Sequence, residues 1–234
     1  MSAPSAPVRA VLFDLDGTLL DTAHDLADTL NGLRRDEGLE PLDFPRIRQF
    51  VSHGASALVR LGFPHAPEPQ FLALRDRLLH AYRGRLAERT RPFEGIPELL
   101  ERLEQRAIAW GVVTNKPGWL TEPLLEALGL RRRARALVSG DTLPERKPHP
   151  RPLLYAAEQL TVPPRECVYV GDAERDVLAA HAAGMRAVVA CFGYIGPEDR
   201  PRTWPADLWI DKPLEIWDWL ESSAPRARAD TLEQ

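Results

Sequence analysis

The chain has 234 residues, of which 44% are hydrophobic and 27% charged, the proportions of a globular protein with a sizeable core. This length favours one core domain with a smaller insert. A formal net charge of −4 excludes broad electrostatic binding to nucleic acid or to an anionic membrane. No window contains the roughly 18 apolar residues of a membrane-spanning helix, and the first seven residues lack signal-peptide features, so we expect a cytoplasmic protein.

Five short apolar runs predict buried β-strands, and several of them end in polar residues. The predicted strands are 8–13, 108–113, 136–138, 167–170 and 186–190. Segments with helical spacing, such as 96–106 and 119–128, separate most of these strands. This alternation predicts an α/β fold with a doubly wound parallel sheet, in which ligands bind outside the carboxyl ends of the strands.

The first predicted helix follows Thr22, and Leu26, Leu30 and Leu33 would share one of its faces. Asp25 lies three residues after Thr22, a spacing typical of a capping box at the start of a helix. We therefore expect these two side chains to cap the helix.

Residues 22–90 contain helical patterns but no convincing strand, which predicts a helical insert after the first strand. The core domain would then comprise residues 8–21 and 91–221. Residues 1–7 and 222–234 are small, polar or charged, and we expect them to be disordered.

Two carboxylates, Asp14 and Asp16, come directly after the first predicted strand, and Gly17 follows them. In a doubly wound sheet this position faces the ligand crevice, where such a pair can serve acid–base chemistry. The alternative is that Asp16 and Gly17 form only a hairpin turn between two strands.

A second pair of carboxylates, Asp172 and Asp176, follows the predicted strand 167–170 and Gly171. A spacing of four residues is about one helical turn, so both carboxylates could approach a common site. Oxygen ligands of this kind suit hard divalent cations such as Mg²⁺. The alternative is that Asp176 merely complements the positive end of the helix that follows.

Lysine is rare in this chain: of 30 basic residues, three are lysines, namely Lys116, Lys147 and Lys212. Lys147 lies in a Lys-Pro-His-Pro segment whose prolines keep it extended. A compact ammonium there suits a phosphoryl oxygen and a carboxylate, and a solvated loop lysine is the alternative. At another strand end, Thr114 and Asn115 offer a hydroxyl and backbone amides.

Taken in order, these elements resemble the four motifs of the haloacid dehalogenase superfamily of phosphohydrolases. The matching segments are Asp14-x-Asp16-x-Thr18, Thr114, Lys147 and Gly171-Asp172-x-x-x-Asp176. The resemblance covers about residues 8–220 and implies a Rossmann-like core, with residues 22–90 as the helical cap domain of that superfamily. It also implies Mg²⁺ as cofactor, a small-molecule phosphate ester as substrate, and a monomer or a homodimer.

The resemblance implies a role for each residue of these motifs. Asp14 would attack phosphorus and form an aspartyl-phosphate, while Asp16 would protonate the leaving alkoxide and then activate water. Thr18 would orient Asp16. The implied metal ligands are Asp14, Asp16 through its backbone carbonyl, Asp172, and Asp176 through water or by ordering the metal shell. The implied contacts to the phosphoryl group are Thr114, Asn115 and Lys147.

Several segments narrow the resemblance within the superfamily. Residues 19–22, Gly95 and residues 112–117 are similar to phosphoglycolate phosphatases. Residues 110–117 and 193–201 are similar to bacterial N-acetylmuramic acid 6-phosphate phosphatases. Both substrates carry a carboxylate, so a carboxylate-binding site would not choose between them. We expect a phosphoglycolate phosphatase, with the sugar phosphate as the alternative substrate.

Ser52, His53 and Gly54 come just before an apolar helical pattern in the insert. If Ser52 caps that helix, the exposed amides at its start, with His53 beside them, would suit a substrate carboxylate. The alternative is a capping serine and a solvent-facing histidine that bind no ligand.

Three other functions share this core. A phosphosugar mutase of the superfamily usually has valine where this chain has Thr18. A dehalogenase lacks the second aspartate of the first motif, which is Asp16 here. A catalytically idle binding module would not need every acid together with the threonine and the lysine, so the residues favour hydrolysis.

Overall fold

A computed structural model describes residues 7–222 of the 234-residue chain. The predicted disorder of residues 1–7 and 222–234 lies outside the described part, apart from Pro7 and Ser222. None of the helices in that part combines the length and the apolar character needed to cross a bilayer. The expected monomer or homodimer stays a prediction.

Eight β-strands and nine α-helices follow one another within residues 7–222. The strands are β1 (Ala10–Phe13), β2 (Leu20–Asp21), β3 (Arg91–Pro92), β4 (Ala109–Val113), β5 (Ala136–Val138), β6 (Cys167–Gly171), β7 (Arg186–Ala190) and β8 (Leu208–Ile210). The helices are α1 (Ala23–Asp36), α2 (Phe44–Arg48), α3 (Gly54–Gly62), α4 (Glu68–Arg83), α5 (Ile96–Gln105), α6 (Gly118–Ala127), α7 (Arg151–Leu160), α8 (Glu174–Ala182) and α9 (Glu215–Ser222).

Six of the described strands form one parallel sheet in the order β5-β4-β1-β6-β7-β8. All residues of β1 are buried, because β4 and β6 pair with it on either side. The five predicted strands of this sheet are confirmed, each to within two residues. The sixth strand, β8, is not among the strands predicted from the sequence.

Helices cover both faces of this sheet, as a doubly wound fold requires. On one face α5, α6 and α9 pack around a hydrophobic cluster that contains Leu99 and, from β1, Val11. On the other face α7 and α8 pack around a cluster that contains Leu153 and, from β1, Leu12. The predicted α/β fold with a doubly wound parallel sheet is therefore confirmed.

Helices α1–α4 pack around a third hydrophobic cluster, in which Leu30 and Leu58 are fully buried. In sequence they lie between β2 and β3, which pair antiparallel, so the chain leaves and re-enters the core through one two-stranded ribbon. We propose on this basis that residues 22–90 form the cap domain, and that residues 8–21 and 91–221 form the core domain.

The start of α1 differs from the predicted capping box. The Thr22 side chain makes no capping hydrogen bond, and its hydroxyl donates instead to Asp16 Oδ1 at 2.6 Å. The buried Asp25 carboxylate accepts from the backbone N–H groups of Arg89 and Thr90 and from the Thr90 hydroxyl. The predicted capping box is therefore wrong, because both side chains bind residues outside the helix.

We predict that Asp25→Ala lowers the free energy of unfolding by about 2–4 kcal/mol, because it leaves three buried donors without their acceptor. Asp28→Ala is the matched control, since Asp28 also lies on α1 but pairs with Arg89 near the surface. Such a pair is worth under about 1 kcal/mol. Urea unfolding of both variants measures the difference, and equal destabilisation would contradict the role given to Asp25.

Candidate active site

Polar side chains from three neighbouring strands meet at the carboxyl edge of the sheet. Asp14 follows β1, Thr114 follows β4 and Asp172 follows β6, and these strands lie side by side. All three side chains are buried. The structure thus brings together residues that the sequence places at strand ends, because parallel strands finish at one edge of a sheet.

Three buried carboxylates form the acidic cluster of this site: Asp14, Asp172 and Asp176. One oxygen from each lies within 4.8 Å of those of the other two. Burial and the charges of Asp14 and Asp176 raise the pKa of Asp172 to about 7. Asp172 Oδ1 is buried and has no hydrogen-bond partner among residues 7–222. A divalent cation would satisfy this oxygen and offset the repulsion, so the donor set fits a hard metal ion such as Mg²⁺.

Glycine allows the segment after β1 to approach the acidic cluster closely. Gly17 has a φ of +81°, which side-chain-bearing residues rarely adopt, and a Cβ there would overlap the Asp172 carboxylate. A Cβ on Gly171 would likewise overlap the side chain of Asp176. The turn at Gly17 leads into β2, which pairs with β3 rather than with β1, so the alternative of a simple hairpin does not hold.

Lys147 brings positive charge into the acidic cluster. Its Nζ lies 3.0 Å from Asp14 Oδ1 and 2.8 Å from Asp176 Oδ1, and it donates to the Tyr169 hydroxyl at 2.7 Å. Tyr169 in turn donates to the Val113 carbonyl oxygen at 2.7 Å. The ammonium therefore forms ion pairs with two carboxylates and donates one hydrogen bond to a phenol. Asp176 Oδ2 does accept from the Ala173 N–H at the start of α8, at 3.1 Å, as the alternative interpretation requires. Because Asp176 is also buried against Lys147, capping the helix is not its only contact.

The Asn115 side chain clamps the backbone of Lys147. Its Nδ2 donates to the Lys147 carbonyl oxygen at 3.0 Å, and its Oδ1 accepts from the Lys147 N–H at 3.1 Å. The Asn115 amide thus positions Lys147. Asn115 also lines the cavity described below, and its predicted substrate contact stays a prediction. The Thr114 hydroxyl accepts from the Lys116 N–H at 3.2 Å, and its own proton has no acceptor within the described residues.

Asp16 is held by contacts outside the acidic cluster. Lys116 Nζ lies 2.9 Å from its Oδ1 and 3.2 Å from its Oδ2, and the Thr22 hydroxyl donates to Oδ1. The sequence predicts that Thr18 orients Asp16, but the buried Thr18 hydroxyl has no partner within residues 7–222. Thr22 and Lys116, rather than Thr18, therefore position this carboxylate.

Lys116 is a site residue that the sequence reasoning missed. Its side chain is 7% exposed, donates to the Tyr82 hydroxyl at 3.2 Å and lies 4.5 Å from the centre of the Tyr82 ring. Burial opposes its charge, but the contacts with Asp16 and Tyr82 outweigh burial and raise the pKa of Lys116 above its ordinary value. The scarcity of lysine was the signal that could have found it.

The helical insert reaches the acidic cluster through Ser52. This residue lies in a 3₁₀ turn (Val51–His53), and its hydroxyl donates to Asp172 Oδ2 at 2.6 Å. Arg175 donates to the Ser52 carbonyl oxygen. The predicted capping role of Ser52 is wrong, because α3 begins at Gly54 and the Gly54 N–H bonds to the Val51 carbonyl oxygen.

A cavity of about 490 Å³ opens between the helical insert and the strand ends. Ser52, His53 and Gly54 line it, together with Asp14 and the residues around it. Burial and the nearby charge of Arg175 lower the pKa of His53. A neutral histidine brings no charge to a carboxylate, but Arg175 lies beside the same turn and also lines the cavity, so the expected anion site stays a prediction.

Comparisons with known proteins agree with this geometry. A family model described as haloacid dehalogenase-like hydrolase matches residues 11–190. A phosphoglycolate phosphatase of Xanthomonas campestris pv. campestris is 45% identical over 210 residues, which are 90% of this chain and 95% of that protein. An N-acetylmuramic acid 6-phosphate phosphatase of Pseudomonas aeruginosa is 42% identical over 215 residues, which are 92% of this chain and 95% of that protein.

A solved structure shows the same architecture. The crystal structure described as a predicted phosphoglycolate phosphatase from Haemophilus somnus 129PT matches with a TM-score of 0.82 at 27% identity. The match covers 92% of this chain and 98% of that one. From the extent of the family model and of these relatives, the chain belongs to the haloacid dehalogenase-like hydrolase family.

Proposed function

We propose that this protein is a Mg²⁺-dependent phosphomonoesterase that hydrolyses a carboxylate-bearing phosphate ester, with 2-phosphoglycolate as the first candidate. The observation that carries the proposal is the Asp14 carboxylate on the cavity wall. Its Oδ1 accepts from the Leu15 N–H at 2.7 Å and lies 3.0 Å from Lys147 Nζ. Because Oδ1 takes both contacts, Oδ2 is the oxygen left to attack phosphorus.

In the first step, Asp14 Oδ2 would form a bond to phosphorus while the ester P–O bond breaks, which leaves an aspartyl-phosphate. The Lys147 ammonium and the Thr114 hydroxyl would neutralise and hydrogen-bond the phosphoryl oxygens. When bound by Asp14, Asp172, Asp176 and the Asp16 carbonyl, Mg²⁺ would add electrostatic stabilisation of the same oxygens.

Asp16 would act as the acid and then as the base. It would give its proton to the departing alkoxide, and would then take a proton from the water that attacks the aspartyl-phosphate. That second step forms a bond from water oxygen to phosphorus, breaks the bond to Asp14 and releases inorganic phosphate. Thr22 and Lys116 hold the Asp16 carboxylate in place for both transfers.

Two substrates follow from the names of the relatives. The Xanthomonas campestris protein, at 45% identity, supports 2-phosphoglycolate, and the Pseudomonas aeruginosa protein, at 42%, supports N-acetylmuramic acid 6-phosphate. The cavity of about 490 Å³ is large for a two-carbon acid. This size is the observation that supports the larger sugar phosphate as a second candidate. Both molecules carry a carboxylate on the leaving group.

We predict Mg²⁺-dependent phosphate release from one of these two substrates, with kcat/KM at least about a hundredfold above that for common sugar phosphates. Asp14→Asn removes the nucleophile but keeps the shape of the side chain, so it abolishes release. Measuring phosphate from the purified protein with each substrate, with and without EDTA, tests the proposal.

Three other outcomes of that assay have definite meanings. Transfer of phosphate to a second hydroxyl without release would favour a phosphosugar mutase. Binding of ligands without transfer or release would favour an idle binding module. Full activity in Asp14→Asn would contradict the aspartyl-phosphate mechanism whatever the substrate.

We predict that Asp172→Asn stabilises the metal-free protein as pH rises. Burial and the neighbouring carboxylates raise the pKa of Asp172 to about 7 in the folded state. As pH rises from the ordinary range of an aspartate to about 7, the unfolded chain loses this proton first, so the folded state loses stability, and the loss is complete above that pH. An asparagine avoids this loss. In EDTA, the Tm of the variant should exceed that of the wild type by at least about 2 °C at pH 8, with a smaller difference at pH 5.

The same melting curves test the metal site. Added Mg²⁺ should raise the Tm of the wild type at pH 8 but not that of Asp172→Asn, because binding to the folded state stabilises it. Asp218→Asn, on the exposed side of α9, is the control and should behave as the wild type in both comparisons. If Mg²⁺ raised the Tm of all three proteins equally, the metal would not bind at Asp172.

A further inference from the structure

Lys116 and Tyr82 form a buried polar pair on the wall of the cavity. Lys116 comes from the loop after β4 in the core, and Tyr82 comes from α4 in the helical insert. A buried ammonium and a buried phenol are costly unless each has hydrogen-bond partners. Their place at the edge of a cavity therefore calls for a functional explanation.

The pair can still donate hydrogen bonds to a ligand. The Tyr82 hydroxyl accepts from Lys116, and its own proton has no acceptor within residues 7–222. Burial raises the pKa of Tyr82 to about 12, so the phenol keeps that proton at neutral pH. The Lys116 ammonium contacts both oxygens of Asp16, so one N–H can turn to a second acceptor while the ion pair stays intact.

The pair also lies beside the leaving-group side of the proposed reaction. Lys116 contacts Asp16, which would protonate the ester oxygen of the substrate. The phosphoryl oxygens are assigned to Lys147 and Thr114, so the charge of Lys116 is available to another part of the substrate. A group bound to Lys116 and Tyr82 would therefore belong to the alcohol that departs.

We propose that Lys116 and Tyr82 form the subsite that binds the carboxylate of the leaving group, which makes both residues determinants of specificity. The inference rests on the proposed function, since it requires a carboxylate-bearing substrate. One carboxylate oxygen would accept from the Tyr82 hydroxyl and the other from Lys116 Nζ. Charge-assisted bonds of this kind are strong in a buried site, and an uncharged leaving group would leave the same donors unpaired.

The other cations on the cavity wall fit this role less well. Arg75 is paired with Asp76 at 3.0 Å, and Arg146 is exposed to solvent. Arg175 donates to the Ser52 carbonyl oxygen. An exposed guanidinium discriminates weakly, because water competes for its N–H groups.

The subsite would also join the helical insert to the core. Tyr82 lies on α4, whereas Lys116 lies after β4, so a carboxylate bound to both would contact the two parts at once. Substrate recognition would then require these parts to be in contact. A leaving group without a carboxylate would lose that bridge as well as two hydrogen bonds.

Two matched pairs of substrates isolate the carboxylate. 2-Phosphoglycolate is compared with ethyl phosphate, and N-acetylmuramic acid 6-phosphate is compared with N-acetylglucosamine 6-phosphate, which lacks the lactyl group. For each pair the measured quantity is the ratio of kcat/KM with the carboxylate to kcat/KM without it. The pair with the higher ratio in the wild type identifies the source of the carboxylate.

Two variants remove the proposed contacts, and each has a matched control. Tyr82→Phe deletes only the hydroxyl, and Lys116→Met deletes the charge at similar length. Tyr155→Phe on α7 and Lys212→Met at an exposed position make the same chemical changes away from the cavity. For each variant the ratio of the two kcat/KM values is compared, so a loss of activity that is equal for both substrates does not change it.

We expect both site variants to lower this ratio by about tenfold or more, chiefly through KM, while both controls keep it. A fall of less than about threefold in either site variant would overturn the subsite, and the proposed function would stand if the wild type remained a carboxylate-ester phosphatase. If the ratio falls by between threefold and tenfold in both site variants and is unchanged in the controls, the subsite is supported, with weaker contacts to the carboxylate.

If the wild type hydrolyses neither carboxylate ester, the proposed function fails and the subsite is tested by binding alone. Calorimetry would then measure glycolate and N-acetylmuramic acid with the wild type, Tyr82→Phe and Tyr155→Phe. Binding that is lost in Tyr82→Phe and kept in Tyr155→Phe supports the subsite. Absence of binding, or equal binding by all three proteins, overturns it.

Discussion

The ion-pair network around Lys147 is the constraint on which the rest of the site depends. Three carboxylates packed within 4.8 Å of one another repel in a buried setting, and the Lys147 ammonium lies between two of them, Asp14 and Asp176. Tyr169 on β6 holds its head, and Asn115 after β4 holds its backbone. These partners reach the lysine only because neighbouring parallel strands finish at one edge of the sheet. The order of the strands is therefore what allows the lysine to offset the charges of the carboxylates.

Each of the two carboxylates after β1 has its own lysine: Asp14 pairs with Lys147, and Asp16 pairs with Lys116. Two carboxylates that lie two residues apart are thus held by different cations. In the proposed mechanism Asp14 would be the nucleophile and Asp16 the acid and base, so each role would have its own lysine.

The strand ends could be predicted because the buried strands of a doubly wound sheet are continuous apolar runs, and polar residues such as Asp14 and Asp172 mark where they stop. Contacts between side chains that are distant in sequence could not be predicted. The spacing of Thr22 predicts a helix cap, yet its hydroxyl binds Asp16 in the turn before the helix. The rarity of lysine could have pointed to Lys116, but its partner Tyr82 meets it only once the helices of the insert have packed.

Tyr194 makes the acidic cluster and the entrance to the helical insert parts of one hydrogen-bonded unit. Its N–H donates to Asp172 Oδ2 at 2.8 Å, and its hydroxyl accepts from the N–H groups of Thr22 and Ala23 at the start of α1. The same hydroxyl donates to Asp21. A single residue thus links the Asp172 carboxylate, through its backbone, to the residues where the chain enters the insert, through its hydroxyl. Hydrogen bonds, which depend on direction, couple the two regions more specifically than charge alone would.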